Sequence, residues 1–506
     1  MTRPPTHLPV GIEPPDLLHD GSLPGAWGRR WRSAPDALVV WSQGRWYTAA
    51  EVDHLSRRAA ALLADAGLSV GDRLLVSAGP SIELIAFHVG ALRSGLVVVP
   101  ANTAYGRLEL EHLVGDAKPG AGVFDDPARA ALVGNVPAIV IGPQGTGGSG
   151  SSHRILSDDG PSLEASALDR SAPDDPAMLG YTSGTTGRPK GAILSHGNLL
   201  SSAAALQLAW RWDSSDRLIL ALPLFHMHGL GVGVHGTLLA GASMVLLPRF
   251  DVDAVIDAVE EHRATMFFGV PTMYARLATS PRLSELGGLR LCVSGSAPLP
   301  PELFARIRSA TGQDVLERYG MTETVMNLSN PYDGERRPGS VGFPLPGVEM
   351  RLLDGEIMLR GPNVCSGYWR DEAATAAAFI DGWFRTGDVA EVDADGYVRI
   401  VGRNKELIIS GGFNVYPREV EEALLDHPAV REAAVAGTPD PEWGEIVTAF
   451  VVLDHSATAE ELIAHTTDRL APYKRPRRVH VVKGLPRNAM GKIQRNSLVA
   501  DTISPT

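Results

Sequence analysis

Cysteine is nearly missing: the chain has two, Cys292 and Cys365, in 506 residues. There is no Cys-x-x-Cys and no Cys/His cluster at zinc spacing, which excludes a disulfide framework and a zinc-stapled fold. Both thiols read as small buried side chains in a reducing cytoplasm. Long apolar runs are missing too. No stretch reaches the ~20 uninterrupted apolar residues of a membrane span, and the N-terminal residues carry no apolar core of signal-peptide length. Basic residues are in deficit, 46 Lys and Arg against 58 Asp and Glu, for a net charge of −12. That excess of acid leaves no electrostatic footprint for nucleic acid or for an anionic membrane. An anionic substrate would need local positive groups.

What is present is ordinary globular composition, 44% hydrophobic and 21% charged, in a chain long enough for several cores. Thr48 and Glu51 form a capping pattern ahead of Leu55, Ala59, Leu62 and Leu63 at helical spacing, so residues 48–67 read as a helix. Arg73–Ser77, Ser81–Leu92 and Leu96–Pro100 then read as strand, helix and strand. Short turns join them, which makes a βαβ unit and a parallel sheet covered by helices. The alternation returns in Arg217–Leu222, Ser243–Leu247, residues 252–262, Thr265–Gly269, residues 272–279 and Arg290–Ser294. Residues 143–152 (PQGTGGSGSS) read as a flexible loop by composition. From Gly342 to Arg403 short strands with Asp-Gly turns take over, at Asp354-Gly355, Asp381-Gly382 and Asp395-Gly396. A compact α+β pattern comes next, with a helix from Pro417, strands near 431–436 and 446–453, and a helix capped by Thr458 and Glu461. The fold class expected is α/β: a large N-terminal domain of parallel sheets with a β-rich subdomain, then a small α+β C-terminal domain. The composition breaks in residues 402–412, which sets the expected domains at 1–403 and 404–506.

The segment with the most chemistry is Thr182-Ser183-Gly184-Thr185-Thr186-Gly187-Arg188-Pro189-Lys190-Gly191. Hydroxyls, glycine N–H groups and one ammonium can surround phosphate oxygens. The spacing differs from the P-loop of common NTPases. His226 and His228 stand at i, i+2 without a third ligand, which is weak for zinc. Glu323 can offer a hard carboxylate oxygen to Mg²⁺.

Together with several segments nearer the C-terminus, this stretch resembles the adenylate-forming superfamily of acyl-CoA synthetases, luciferases and nonribosomal adenylation domains. Tyr319-Gly320-Met321-Thr322-Glu323 looks like the adenine and magnesium motif of that superfamily, and Thr386-Gly387-Asp388 like its ribose motif. Gly402-Arg403-Asn404-Lys405 resembles the interdomain hinge, Gly411-Gly412 the segment after it, and Pro486-Arg487-Asn488-Ala489-Met490-Gly491-Lys492 the C-terminal lysine motif. The resemblance spans nearly the whole chain in the same order. It implies ATP, Mg²⁺ and coenzyme A, with a carboxylate attacking the α-phosphorus and CoA then displacing AMP. Thr182 through Gly187, and Lys190, would hold phosphates. Tyr319 would stack on adenine, Thr322 contact the α-phosphate, Glu323 hold Mg²⁺, and Asp388 and Arg403 bind ribose. Lys492 would bridge the acid and the α-phosphate. Lys405 would be the hinge of a mobile C-terminal domain, and Gly411 and Gly412 would meet pantetheine. His226 would wall the acyl site.

Several segments resemble malonyl-CoA synthetases in particular, among them Gly269-Val-Pro-Thr-Met-Tyr-Ala-Arg276 and Glu317-Arg318-Tyr319. A dicarboxylate needs a cation for its second charge, because an unpaired buried charge is costly. Arg276 is the first candidate, with Ser296 as an added donor and Arg318 as a second cation. The expected partners are therefore a small carboxylic acid, ATP and CoA, with no nucleic acid or membrane, in a monomer or homodimer. Ligases for other short-chain, medium-chain or aryl acids stay open as an alternative, as do a carrier-loading adenylation domain and a catalytically silent nucleotide-binding regulator.

Overall fold

A computed structural model describes residues 7–8, 15–142, 161–182, 189–403, 406–410, 413–440, 443–467, 469–488, 491–495 and 497–499. The chain forms two compact units, Met1–Met350 with Leu359–Phe384, and Arg351–Met358 with Arg385–Thr506.

The first unit carries two parallel-rich sheets. One runs in the order Ala138–Val140, Ala121–Phe124, Arg73–Ser77, Val97–Pro100, Pro176–Thr182 and Lys190–Ser195. Its strands are parallel except for the last pair, which is antiparallel. The other centres on parallel strands Leu316–Tyr319, Leu291–Ser294, Met266–Gly269, Arg217–Leu220 and Ser243–Leu246. Short antiparallel strands close it at one edge (Leu328–Ser329 and Phe343–Pro344) and Arg45–Thr48 closes it at the other. Fully buried apolar strands of this kind need helices on both faces.

Local chemistry explains the elements. Thr48 and Glu51 make the expected capping box for the helix Ala49–Asp65. Ser81 caps Ile82–Arg93, every residue of which is buried. A helix apolar nearly all round belongs inside a core. Its one cation, Arg93, is neutralised by Asp53 at 2.7 Å and Asp169 at 3.0 Å. Unpaired, a charge in that place would cost several kcal/mol. Three tryptophans, Trp27, Trp210 and Trp212, are fully buried in the same core. The sequence pattern passed over two features. Pro176–Thr182 and Lys190–Ser195 are strands, and the glycine-rich stretch after His226 is a wide π-type turn, His228–Val234, running into the helix His235–Ala240.

In the second unit an Asp-Gly turn joins two strands, with Asp354 at φ 51° and Gly355 at φ 82°, the backbone that a two-residue hairpin demands. Trp383–Val392 pairs with Val398–Arg403 from Asp388↔Arg403 to Val392↔Val398. Beyond these, Val430–Asp440 and Gly444–Leu453 form a long antiparallel pair, and Arg478–Val481 joins its edge in parallel. The helices Pro417–Leu425 and Ala459–His465 accompany this sheet, the second capped by Thr458 and Glu461 as expected. Val420 and Leu424 from the first helix and Leu462 from the second are buried with the apolar strand residues Val435, Val447 and Val451. The α/β class with a smaller α+β part is the one expected. Among the described residues no helix is long and apolar enough to cross a membrane.

Candidate active site

Parallel strands of an open sheet end on one edge, and ligands bind outside that edge. Here Gly269, Ser294 and Glu317 are register partners near the carboxyl ends of three adjacent strands. The loops that leave this edge carry the chemistry. Arg318 is almost fully buried, and its Nε and Nη2 atoms have no hydrogen-bond partner. The neighbouring Glu317 spends its carboxylate on the N–H groups of Leu299 and Gly339, at 3.0 and 2.8 Å. The guanidinium lies against Gly295, where a Cβ would stand 2.4 Å from Arg318 Cζ. Only glycine admits that approach. Burial lowers the Arg318 pKa to about 9.

Two further polar groups share this region. His228 is buried, its Nε2 has no partner, and its Nδ1 stands 3.5 Å from Ser296 Oγ. Burial, then the charges of Arg318 and His226, push its pKa well down, so the ring is neutral at pH 7. Ser294 Oγ is buried and without a partner as well. Ser296 holds a left-handed backbone, φ 71°, which a non-glycine residue adopts at a cost and which recurs at ligand sites. Buried polar groups are normally hydrogen-bonded. A cation, an imidazole and a hydroxyl left short together make a receptor for an anion.

A second group forms where the strand Pro176–Thr182 meets Thr322. A Cβ on Gly180 would stand 2.3 Å from Thr322 Cγ2, so the glycine lets the two segments touch. Thr182 and Lys190 are register partners and face each other across the hydroxyl- and glycine-rich segment. Lys190 Nζ lies 3.3 Å from Asp371 and 5.8 Å from the centre of the Tyr368 ring. The Tyr368 hydroxyl donates to Glu323 Oε1 at 3.1 Å, and Glu323 is buried. Burial and the nearby Glu323 carboxylate raise the Tyr368 pKa, keeping it a donor. Lys190, Tyr368, Glu323 and Thr322 thus form one contiguous constellation.

The second unit, taken by itself, places the other expected residues. Arg403 Nε holds the buried Asp388 carboxylate at 2.8 Å. Lys492 is exposed on a tight turn: its N–H donates to Asn488 Oδ1 at 3.0 Å, and its carbonyl accepts from Asn488 N–H at 2.9 Å. Arg487, at the base of the turn, is paired with Glu432.

The chain matches the AMP-binding enzyme family over residues 27–369 and the AMP-binding enzyme C-terminal domain over residues 419–492. It belongs to the AMP-binding enzyme family. A feruloyl-CoA synthase from an Amycolatopsis species is 40% identical over 497 residues, covering 93% of this chain and 97% of that protein. A malonate–CoA ligase from Arabidopsis thaliana is 36% identical over 480 residues, covering 85% and 78%. The crystal structure of ATP-bound MatB from Rhodopseudomonas palustris is 41% identical, with a TM-score of 0.89 over 95% of this chain and 98% of that one.

The residues expected of an AMP-binding enzyme fall into distinct groups. Thr182, Lys190, Thr322 and Glu323 come together. Tyr319 is buried beside them in sequence, with its hydroxyl 3.8 Å from Met321 Sδ. Arg318 and Ser296 join His228, and His226 is half-buried with its ring 4.6 Å from that of Phe225. Arg276 is exposed, its guanidinium 4.9 Å from the centre of the Phe250 ring, outside the buried set. Ser183, Gly184, Thr185, Thr186, Gly187, Lys405, Gly411 and Gly412 lie outside the described residues. Sequence reasoning missed Ser294, Tyr368 and Asp371 and gave His228 no role. None had a local signal: Tyr368 stands far along the chain from Glu323 and reaches it through tertiary pairing, with Ala192 bridged to Tyr368 and the Cys365 N–H donating to the Glu323 carbonyl at 2.8 Å.

Proposed function

We propose that this protein is an ATP-dependent acyl-CoA synthetase that activates a small dicarboxylate, malonate or methylmalonate, and transfers the acyl group to CoA with release of AMP. The observation that carries the reading is Arg318, buried with two unpartnered guanidinium nitrogens beside His228 and Ser294. A second carboxylate supplies what those groups lack, through charge-assisted hydrogen bonds to a planar fork. Arg276, exposed and over the Phe250 ring, lies outside this buried set and is kept as the second cation to test. The ATP-bound bacterial relative and the plant malonate–CoA ligase support it.

In the first half-reaction a carboxylate oxygen attacks the α-phosphorus of ATP and pyrophosphate leaves. In the second the CoA sulfur attacks the acyl carbonyl and AMP leaves. Phosphoryl-type transfer of this kind depends on position and charge neutralisation more than on a protein nucleophile. We assign Thr182, Lys190 and Thr322 to phosphate oxygens, Tyr319 to adenine, Asp388 and Arg403 to ribose, and Lys492 to the attack on phosphorus. The nucleotide enters as its magnesium complex. Among the described residues no cluster of three His, Cys, Asp or Glu could hold a metal unaided. That suits an ion that arrives on phosphates and keeps most of its ligands from them and from water, with Glu323 as its protein carboxylate. Residues 404–506 are assigned as the mobile part, turning about Lys405 between the half-reactions and bringing Gly411 and Gly412 to pantetheine. The two cysteines, buried and unbridged, suit a cytoplasmic setting.

The feruloyl-CoA synthase relative favours an aryl acid as the second reading. Pyrophosphate release, measured with malonate, methylmalonate, butyrate and ferulate with and without CoA, separates the two. The dicarboxylates should give the highest kcat/KM. Faster turnover of ferulate than of either dicarboxylate overturns the proposal in favour of the aryl reading.

A further inference from the structure

The helix Arg107–Ala117 has no part in the chemistry described so far, yet it touches both ends of the segment between Thr182 and Lys190. His112 and Asp116 are four residues apart and so share one helix face. His112 Nε2 lies 2.9 Å from the carbonyl oxygen of Pro189. A carbonyl only accepts, so the imidazole is the donor and carries its proton on Nε2. Pro189 stands just past Thr182↔Lys190, the last pair of the strand ladder among the described residues. The imidazole supplies a donor to that carbonyl.

At the other end of the segment, the Tyr181 hydroxyl donates to Asp116 Oδ2. Burial, then Asp116, raises the Tyr181 pKa, so the phenol remains a donor. The backbone carbonyl of Asp116 also accepts from Trp369 Nε1 at 3.2 Å, next to Tyr368. The His112 and Tyr181 rings meet edge to face at 6.3 Å. One helix face therefore fixes the residue before Thr182 and the residue before Lys190.

We propose that His112 and Asp116 are positioning residues for nucleotide phosphates, acting through Pro189 and Tyr181 on Lys190 and Thr182. This rests on the reading of Lys190 and Thr182 as phosphate ligands. Neither helix residue touches substrate.

The test separates a hydrogen-bond donor from a packing ring. His112→Phe keeps an edge for Tyr181 and loses the donor. His112→Gln loses the ring and keeps an N–H donor. ATP affinity is measured by calorimetry, and KM for ATP and for malonate by pyrophosphate release. His112→Phe should weaken ATP roughly three- to tenfold, the worth of one net hydrogen bond, and leave KM for malonate unchanged. His112→Gln should restore ATP affinity. Tyr181→Phe, which removes only a hydroxyl at the other end, should repeat the loss, so the proposal survives a His112 variant that fails to fold. A normal His112→Phe with an impaired His112→Gln shows a packing role and overturns it. Equal losses for ATP and malonate overturn it too. Should the wild type activate no acid, calorimetry with ATP still decides the positioning claim, and a wild type that binds no ATP refutes it.

Discussion

Tyr368 donates a hydrogen bond to Glu323 at 3.1 Å while its ring lies beneath the Lys190 ammonium. One side chain thus orients the carboxylate and borders the cation of the same constellation. Tyr368→Phe keeps the ring and removes the hydroxyl. A hydrogen bond to a charged group contributes about 1.5–3 kcal/mol. Adenylation kcat/KM should fall about 10- to 150-fold at limiting MgATP, with little change in Tm. Wild-type kinetics in this variant would mean that Glu323 needs no such orientation.

Arg318 should decide acid choice. Truncating one partner of a buried charge pair typically costs about 2–5 kcal/mol, so Arg318→Ala should lower kcat/KM for malonate roughly 30- to 5,000-fold. Butyrate presents no second charge and should suffer far less. The ratio of the two kcat/KM values cancels general damage to nucleotide binding. Arg276→Ala, measured alongside, reports whether the exposed arginine shares the second carboxylate. An unchanged ratio in both variants would remove the electrostatic case for a dicarboxylate.

Lys492 projects from a turn whose backbone is held by Asn488, with Arg487 anchoring its base to Glu432. Because the side chain is exposed, Lys492→Ala should leave Tm unchanged. It should slow adenylation by ~10²–10³, the scale of one lost transition-state donor. Thioester formation from pre-made malonyl adenylate should survive. Equal loss in both half-reactions would show that the lysine is not specific to the first.

Acid should destabilise the first unit through its histidines. His88 and His235 are buried with their Nε2 atoms 2.8 Å apart, so one must accept and be neutral, and burial disfavours the charge on either ring. Burial lowers the His88 pKa to about 3, and burial with His88 and His196 nearby pushes His235 well down. Unfolded histidine takes up a proton near pH 6.5, and these do not while folded. Their contribution is therefore complete above about pH 6.5 and is lost as pH falls from there toward the folded values, by about 1.4 kcal/mol per pH unit for each. Urea unfolding at a series of pH values should show that slope, and His88→Gln should reduce it by about one proton. An unchanged slope in His88→Gln would exclude the pair as its source.

The legible parts of this protein were those where local chemistry and final structure agree. Thr48 with Glu51, Thr458 with Glu461 and the Asp354-Gly355 turn each specify their element within a few residues, and each formed. Arg318 was legible as a cation but not as a buried one. Its burial depends on Gly295 coming from a neighbouring strand end, a fact of sheet order and not of spacing. Arg276 shows the converse: it was legible as a cation, while its place on the short helix Pro271–Leu277 and its exposure over Phe250 are facts of the fold. The strands flanking Thr182 and Lys190 escaped notice because glycine, serine and threonine dominate the sequence between them. Tyr368 escaped because only tertiary pairing brings it to Glu323.

The seat of Thr322 against Gly180 has a bearing on recombination among relatives. A methyl group on one segment occupies the space where the other would carry a Cβ, although the two are far apart along the chain. Breakpoints that take residues 176–195 from one parent and 319–325 from another would join surfaces shaped by different partners. Exchanges that move both segments together keep the fit, so a single crossover belongs outside residues 176–325 and one between the segments needs a second to restore the match.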